Sequence, residues 1–168
     1  MPRNSPAECE GSSARRGWKT PARSVVACAL VFSGGMVVTP SAHADLLTNV
    51  RDAIVNARGG TSCQPFNYDP ILEKAAGIVN QSTDDYIDHL STYQPITDPM
   101  PGLKDLGYGG SKAALLQGAL SDESLSIKGA ILEGHAAIPN CSFTDLGIDV
   151  RTNEATDNIL IVYLLAGA

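Results

Sequence analysis

Between residues 45 and 165 the spacing of apolar positions changes from a helical period to strict alternation, so helices come first and strands last. Asp45 caps a helix in which Leu46, Leu47, Val50, Ala53, Ile54 and Ala57 recur one turn apart, and Gly59-Gly60 stops it. A loop carrying Cys63 follows. Asp69-Pro70 predicts the next helix start: the carboxylate accepts from the first free backbone N–H groups, and the proline's missing N–H would have no partner there anyway. Leu72, Ala75, Ala76, Val79, Tyr86, Ile87 and Leu90 give this helix a buried stripe to about Leu90, with Asp84, Asp85 and Asp88 turned away or at its end.

Pro95, Pro99 and Pro101 make residues 91–101 a loop, and Leu103 and Leu106 predict a short helical turn ended by Gly107. Residues 113–120 form a short apolar run without a clear period, which reads equally as helix or strand. Ser121-Asp122-Glu123 opens a third long helix with the apolar face Leu125, Ile127, Ile131 and Leu132, stopped by Gly134. Beyond Pro139, Leu146, Ile148 and Val150 alternate with Gly147, Asp149 and Arg151, the pattern of a strand with one buried face. Residues 152–157 are a polar reversal. Residues 159–165 are continuously apolar, as in a strand covered on both sides, so the expected architecture is α+β, with an antiparallel pair at the C-terminal end and helices over the sheet.

The preceding residues read differently. Residues 1–23 are polar and basic, Val25 to Phe32 is an apolar run continued in Met36-Val37-Val38, and Pro40 precedes Ala42-His43-Ala44. That order of basic region, apolar region and small-residue site is a secretory signal peptide over residues 1–44, with a product of 124 residues from Asp45. The run is too short for a spanning helix, which needs about 20 residues. Arg15-Arg16 resembles a twin-arginine signal without its usual apolar sequel, so the general secretory route is expected. Cys28 precedes most of the apolar run, the wrong place for a lipid-modified cysteine.

Removing the leader changes the charge. Five Lys/Arg face two Asp/Glu before Asp45, whereas the product carries 7 Lys/Arg against 16 Asp/Glu, a formal charge of −9. Nucleic acid and anionic bilayers are excluded as partners, because both need a continuous cationic face. The cysteine count changes as well: Cys9 and Cys28 leave, and Cys63 and Cys141 remain in a chain bound for an oxidising compartment, where they pair. Two free buried thiols are the alternative. The spacing offers no second Cys-x-x-Cys element for a zinc or thioredoxin-type centre.

No Gly-x-Ser-x-Gly elbow, phosphate-cradling loop or His-Glu-x-x-His helix is present, and Leu106-Gly107-Tyr108-Gly109-Gly110 lacks the preceding strand that a nucleotide-binding turn requires. His89 and His135 are the only histidines after the leader, and with Glu123, Glu133 or Asp85 they could build a two-histidine metal centre.

The order of several segments resembles one family. Cys63-x-Pro65-Phe66-x-Tyr68-Asp69-Pro70-x-Leu72-x-x-Ala75, then Leu106-Gly107-Tyr108, then Gly134-His135 followed by Phe143-Thr144-Asp145-Leu146-Gly147-Ile148 and a closing apolar strand, is similar to the CAP domain of cysteine-rich secretory proteins, antigen 5 and pathogenesis-related proteins. The resemblance implies an α-β-α sandwich over residues 45–168, with a cleft of two histidines and two acids that in some members binds a divalent metal. His135 and His89 stand at the histidine positions. The family's Gly-Glu-Asn motif is absent, since residues 109–115 contain no acid, and Gly129 lies near the place of its usual tryptophan. Glu123 is then the remaining carboxylate, and two imidazoles with one carboxylate would hold zinc weakly.

Two functions follow as expectations. The first is a secreted, monomeric binding module at the cell envelope or outside the cell, without a required cofactor, its ligand a small apolar molecule or lipid. The second is a metal-dependent hydrolase using His89 and His135. The missing acid favours the first.

Overall fold

The computed structural model describes residues 42–168. The expected leader lies outside the described residues as far as residue 41, and α1 (Ala42–Gly59) runs through the expected cleavage junction. Asp45 therefore sits in the first turn of α1 and is not its cap. Its carboxylate there complements the helix dipole as a cap would.

The remaining elements are β1 (Asn67–Tyr68), α2 (Pro70–Ile87), α3 (Met100–Asp105), β2 (Lys112–Leu120), α4 (Glu123–Glu133), β3 (Asp145–Thr152) and β4 (Ile159–Gly167). They form one mixed sheet in the order β1-β3-β4-β2, in which β1 runs parallel to β3 and the other neighbours are antiparallel. The run at residues 113–120, open between helix and strand in the sequence, is a strand paired along its whole length to β4.

Alternation on β4 builds both cores. Ile161, Tyr163 and Leu165 point into one cluster with Val50 and Ile54 of α1, Ala130 of α4, and Leu146, Ile148 and Val150 of β3. Val162, Leu164 and Ala166 point into the other, with Leu72, Ala75, Ala76 and Val79 of α2, Leu103 of α3 and Tyr108. The result is an α-β-α sandwich: α1 and α4 on one face, α2 and α3 on the other. β4 reads as unbroken apolar sequence because each face of a central strand meets a helical layer.

Helix ends follow their local chemistry. Asp69 caps α2, accepting from the Ile71 N–H at 2.7 Å, with Pro70 in the first turn. α2 ends earlier than its apolar spacing suggests. His89 has φ 58°, a left-handed exit that lets the Leu90 N–H reach the Asp85 carbonyl at 2.8 Å. Tyr86 and Leu90, expected in the buried stripe, are exposed, because the packed length of α2 stops near Asn80. Asp84 and Asp88 do not face away: both accept from the Asn153 side chain, at 2.8 and 2.7 Å, tying the helix to the β3–β4 reversal.

In α4 the cap is Asp122, one residue later than the Ser121 expectation, and it accepts from the Leu125 N–H at 2.9 Å. The buried residues are Ser126 and Ala130, with Ile127 and Ile131 half-buried against the core as expected, while Leu125 and Leu132 are exposed. Close approach explains the shift: a Cβ on Gly118 of β2 would stand 2.1 Å from the Ser126 carbonyl oxygen. Only small residues fit between backbones at that distance, and the large ones are displaced to the flanks. Ser126 also places its hydroxyl against Leu120 and Ile159, at the end of the sheet where α4 begins.

Cys63 and Cys141 form a disulfide across 78 residues, with Cα atoms 5.0 Å apart. Beside it, Arg58 is almost fully buried, and its guanidinium gathers the chain. Nε donates to the Gln64 carbonyl at 2.8 Å, Nη1 to the Ile138 and Asn140 carbonyls, and Nη2 to the Phe143 carbonyl at 2.7 Å. No helix among the described residues is long and apolar enough to cross a membrane.

Candidate functional site

Pro101, expected in the loop after α2, lies instead in the first turn of α3, where its missing N–H has no partner to lose, and the chain from residue 91 to 99 passes back along α2 without regular structure. Ser82 holds it there: its hydroxyl donates to the Val79 carbonyl at 2.7 Å and accepts from the Ile96 N–H at 3.1 Å. α3 follows, its Leu103 N–H bonded to the Pro99 carbonyl at 2.9 Å. Between loop, α2 and α3 this leaves a cavity of about 210 Å³, lined by Ala75, Ile78, Val79, Ile96, Pro99 and Leu106, with Pro101, Gly102 and the single charge Asp98 at the α3 side. Almost all of that lining is apolar. It is a place for a small apolar body, oriented by few polar groups.

Next to this cavity, through Ile78 and Ile96, lies an open shelf with Lys74, Gln81, Asp85 and Arg151. Arg151 is engaged within the protein. Its guanidinium faces Asp84 at 3.6 Å and Asp149 at 3.5 Å and donates to Gln81. Asn80, fully buried, donates to Asp149 at 2.8 Å and to the Leu160 carbonyl at 3.1 Å. This network fastens α2 to the sheet.

The residues expected at a metal centre are delivered to different places. His89 follows α2 and is exposed, whereas His135 follows α4 in the opposite layer, its ring nitrogen 3.1 Å from the Leu132 carbonyl. They are also separated along the sheet, since the end of α4 lies against Leu116 and Gln117 in the middle of β2. α2 finishes beside the β3–β4 reversal, but α4 starts at that end of the sheet and runs its 11 residues away from it, about 16 Å at 1.5 Å per residue. Glu123, at the start of α4, is one helix length from His135 and accepts from the Asn49 amide at 2.8 Å. Among the described residues no group of three or more His, Cys, Asp or Glu side chains lies close enough to hold a metal ion. The donors present do not fit the metal that the CAP resemblance implies.

At this level of detail the molecule can be set beside known structures. The fold is similar to an outer surface protein of Borrelia burgdorferi, with a TM-score of 0.59 at 13% identity over 73% of this chain and 92% of that one. It is also similar to an extracellular protein containing an SCP domain from Bacillus anthracis, with a TM-score of 0.52 at 16% identity over 74% of this chain. A cysteine-rich secretory protein from Staphylococcus aureus matches with a TM-score of 0.56 at 14% identity over 77%. The chain has the CAP fold. The likeness is one of fold, since no family model and no characterised protein matches the sequence. The CAP-fold chain spans only 41% and 40% of the Bacillus and Staphylococcus proteins.

Sequence reading missed the residues that line the CAP-fold domain's cavity. Their only signal was the run of prolines at 95, 99 and 101, which forecast a loop and said nothing of what it would enclose. Arg58 was missed too. A basic residue in the last turn of an amphipathic helix ordinarily faces solvent, and nothing in the spacing marks this one as buried.

Proposed function

We propose that this chain is an exported, non-catalytic binding module that acts at the cell envelope or outside the cell and takes a small apolar ligand in the cavity between α2 and α3. The cavity carries the proposal: about 210 Å³ of space with almost wholly apolar walls, in a domain whose histidines do not converge. The leader pattern of residues 1–44 and the Cys63–Cys141 disulfide support export, since such bridges persist in oxidising compartments. Proteins described as extracellular, secretory or outer-surface share the fold, which agrees with that placement.

A neutral fluorescent probe such as N-phenyl-1-naphthylamine tests the site. Binding is expected to the domain starting at Asp45, and to be lost in Gly102→Leu. Gly102 lines the cavity and no atom stands within 4 Å of a Cβ placed on it, so the fold accommodates this side chain. Equal binding by the folded variant overturns the site. Sub-micromolar zinc binding that disappears in both His89→Ala and His135→Ala overturns the non-catalytic reading.

A further inference from the structure

The return of the chain after α2 leaves aromatic rings bare. Two ties fix that return: the Ser91 N–H donates to the Asp85 carbonyl at 3.1 Å, and the Ile96 N–H donates to the Ser82 hydroxyl at 3.1 Å. Tyr93 is two residues past the first tie, so its backbone stays within about 7 Å of Ser91, beside the turn of α2 that carries Tyr86. Tyr86 is 44% exposed, Tyr93 84%, and Leu90 between them 77%. The chain has five tyrosines and no tryptophan after residue 44. Tyr108 and Tyr163 are buried, so two of the other three stand on this one turn. Single exposed apolar residues are ordinary, whereas several together mark an interaction surface.

The adjoining surface is polar and already ordered. The shelf of about 470 Å³ that presents Lys74, Gln81, Asp85 and Arg151 includes Ser82 and Ile96, so the residues that tie the loop down also join the shelf to the tyrosines. Gln81 is fixed from both sides: its amide nitrogen donates to Asp85 at 2.6 Å and its oxygen accepts from Arg151. One N–H of Gln81, one oxygen of Asp85 and the Lys74 ammonium keep hydrogen-bonding capacity that no partner among the described residues takes. Groups held in place this way lose little freedom when a ligand arrives. Lys74 and Arg151 stand among Asp84, Asp85 and Asp149, so the shelf has no cationic field to draw an anion.

We propose that the shelf and the two tyrosines together form a binding site for a neutral oligosaccharide. A sugar ring carries hydroxyls at its rim, which both donate and accept, and a face of C–H groups that is apolar and slightly positive. The rim matches the interleaved amide, carboxylate and ammonium of the shelf, and the face matches the negative π-face of a tyrosine ring. A wholly apolar ligand would strip water from the shelf without replacing its hydrogen bonds, and a polyanion would meet the carboxylates. The apolar cavity between α2 and α3 borders the shelf through Ile78 and Ile96 but contains neither its polar side chains nor the tyrosines.

Titration calorimetry of the domain starting at Asp45 tests the site with maltohexaose, cellohexaose, mannohexaose and N-acetylchitohexaose, and with hexagalacturonate as the anionic control. At least one neutral hexasaccharide binds with Kd below about 1 mM, and hexagalacturonate binds at least about tenfold more weakly. Tyr93→Ala, at an exposed position, lowers that affinity about fivefold or more, and Tyr93→Phe, which keeps the ring, retains it. Lys74→Met, also exposed, keeps the stem, removes the donors and lowers it about fivefold. No binding by any of the four neutral chains, unchanged affinity in Tyr93→Ala, or equal affinity for hexagalacturonate overturns the proposal. Sedimentation of the domain with phosphatidylcholine vesicles that Tyr93→Ala abolishes also overturns it, since the tyrosines would then be a bilayer contact. Gly102→Leu leaves oligosaccharide binding unaltered, and a failure here leaves binding of the neutral probe between α2 and α3 untouched, so the two sites are judged separately.

Discussion

The Tyr163 hydroxyl donates to the carbonyl of Val50 at 2.8 Å, joining the central strand to α1 across 113 residues in the buried interior. Burial raises the ionisation of this phenol well above its ordinary range. A tyrosine in an otherwise apolar cluster is accommodated because its one polar atom has this partner. Tyr163→Phe keeps the ring and removes the bond, and is expected to cost about 1 kcal/mol, read as a lower denaturant midpoint with an unchanged slope. No loss of stability would mean that the bond contributes nothing net.

Arg58 joins the last turn of α1 to the segments on either side of the disulfide. Arg58→Lys keeps the charge but replaces a fixed fork by a single point donor, so it cannot serve carbonyls at residues 64, 138, 140 and 143 together. The expected loss is about 3 kcal/mol, the scale of orphaning several buried acceptors, and Arg58→Met should cost at least as much. Thermal unfolding of both variants measures it, and Arg51→Lys serves as the exposed control with little change.

Reduction of Cys63–Cys141 opens a loop of 78 residues. In the chain-entropy picture the bridge contributes on the order of 4 kcal/mol. The carbonyl contacts of Arg58 hold the same two segments in the folded state, so the reduced domain is expected to stay folded near neutral pH and to unfold at lower denaturant. Unfolding curves with and without reductant test this.

Two glycines predict opposite outcomes for the same substitution. A Cβ on Gly147 of β3 would stand 2.2 Å from the Leu72 backbone, where α2 lies directly on the strand. Neither backbone can yield locally, so Gly147→Ala should destabilise by about 2 kcal/mol or more through overpacking. Gly129 has nothing within 4 Å of that position. It lies inside α4, and Gly129→Ala should stabilise by roughly 0.5 to 1 kcal/mol through helix propensity. Midpoints moving the same way for both would contradict the packing described for α2.

Tyr68 is 48% exposed, yet partial desolvation and the nearby Glu73 carboxylate push its ionisation up to about 12, with Arg51 opposing. A phenol raised in the folded state favours folding while neutral. Its contribution is intact below about pH 10, the ordinary tyrosine value, and is lost as pH rises through about 12. Tyr108 is shifted in the same direction by burial and by Asp145, which accepts from its hydroxyl at 2.7 Å. Absorbance titration should place the Tyr68 step near pH 12, removed in Tyr68→Phe; a step near pH 10 would refute the influence of the Glu73 carboxylate on it.

Most elements were legible because their signals are local. Asp69-Pro70 marks a helix start whatever surrounds it, and alternation over Leu146, Ile148 and Val150 with the unbroken run at residues 159–165 requires a one-sided strand beside a two-sided one. The order of motifs was enough to point to the CAP fold. The run at residues 113–120 stayed ambiguous until β4 supplied a partner, and two-residue β1 has too little sequence to carry a signal.

What the tertiary structure alone decided is which residues meet. Gly134-His135 and His89 keep their motif positions, but a motif records sequence order, while the layer and the place along the sheet to which each helix delivers its last residue depend on packing. The buried face of α4 shifted for the same reason: Ile127 and Ile131 pack against the core as expected, but close approach at Gly118 put Ser126 and Ala130 at its centre and left Leu125 and Leu132 outside. Arg58 became a buried clamp because carbonyls from residues 64 to 143 converge on it, an arrangement that exists only once the chain has folded. Periodicity reports what one segment prefers against a generic core. Sites form where segments distant in sequence come together, and no single segment encodes that meeting.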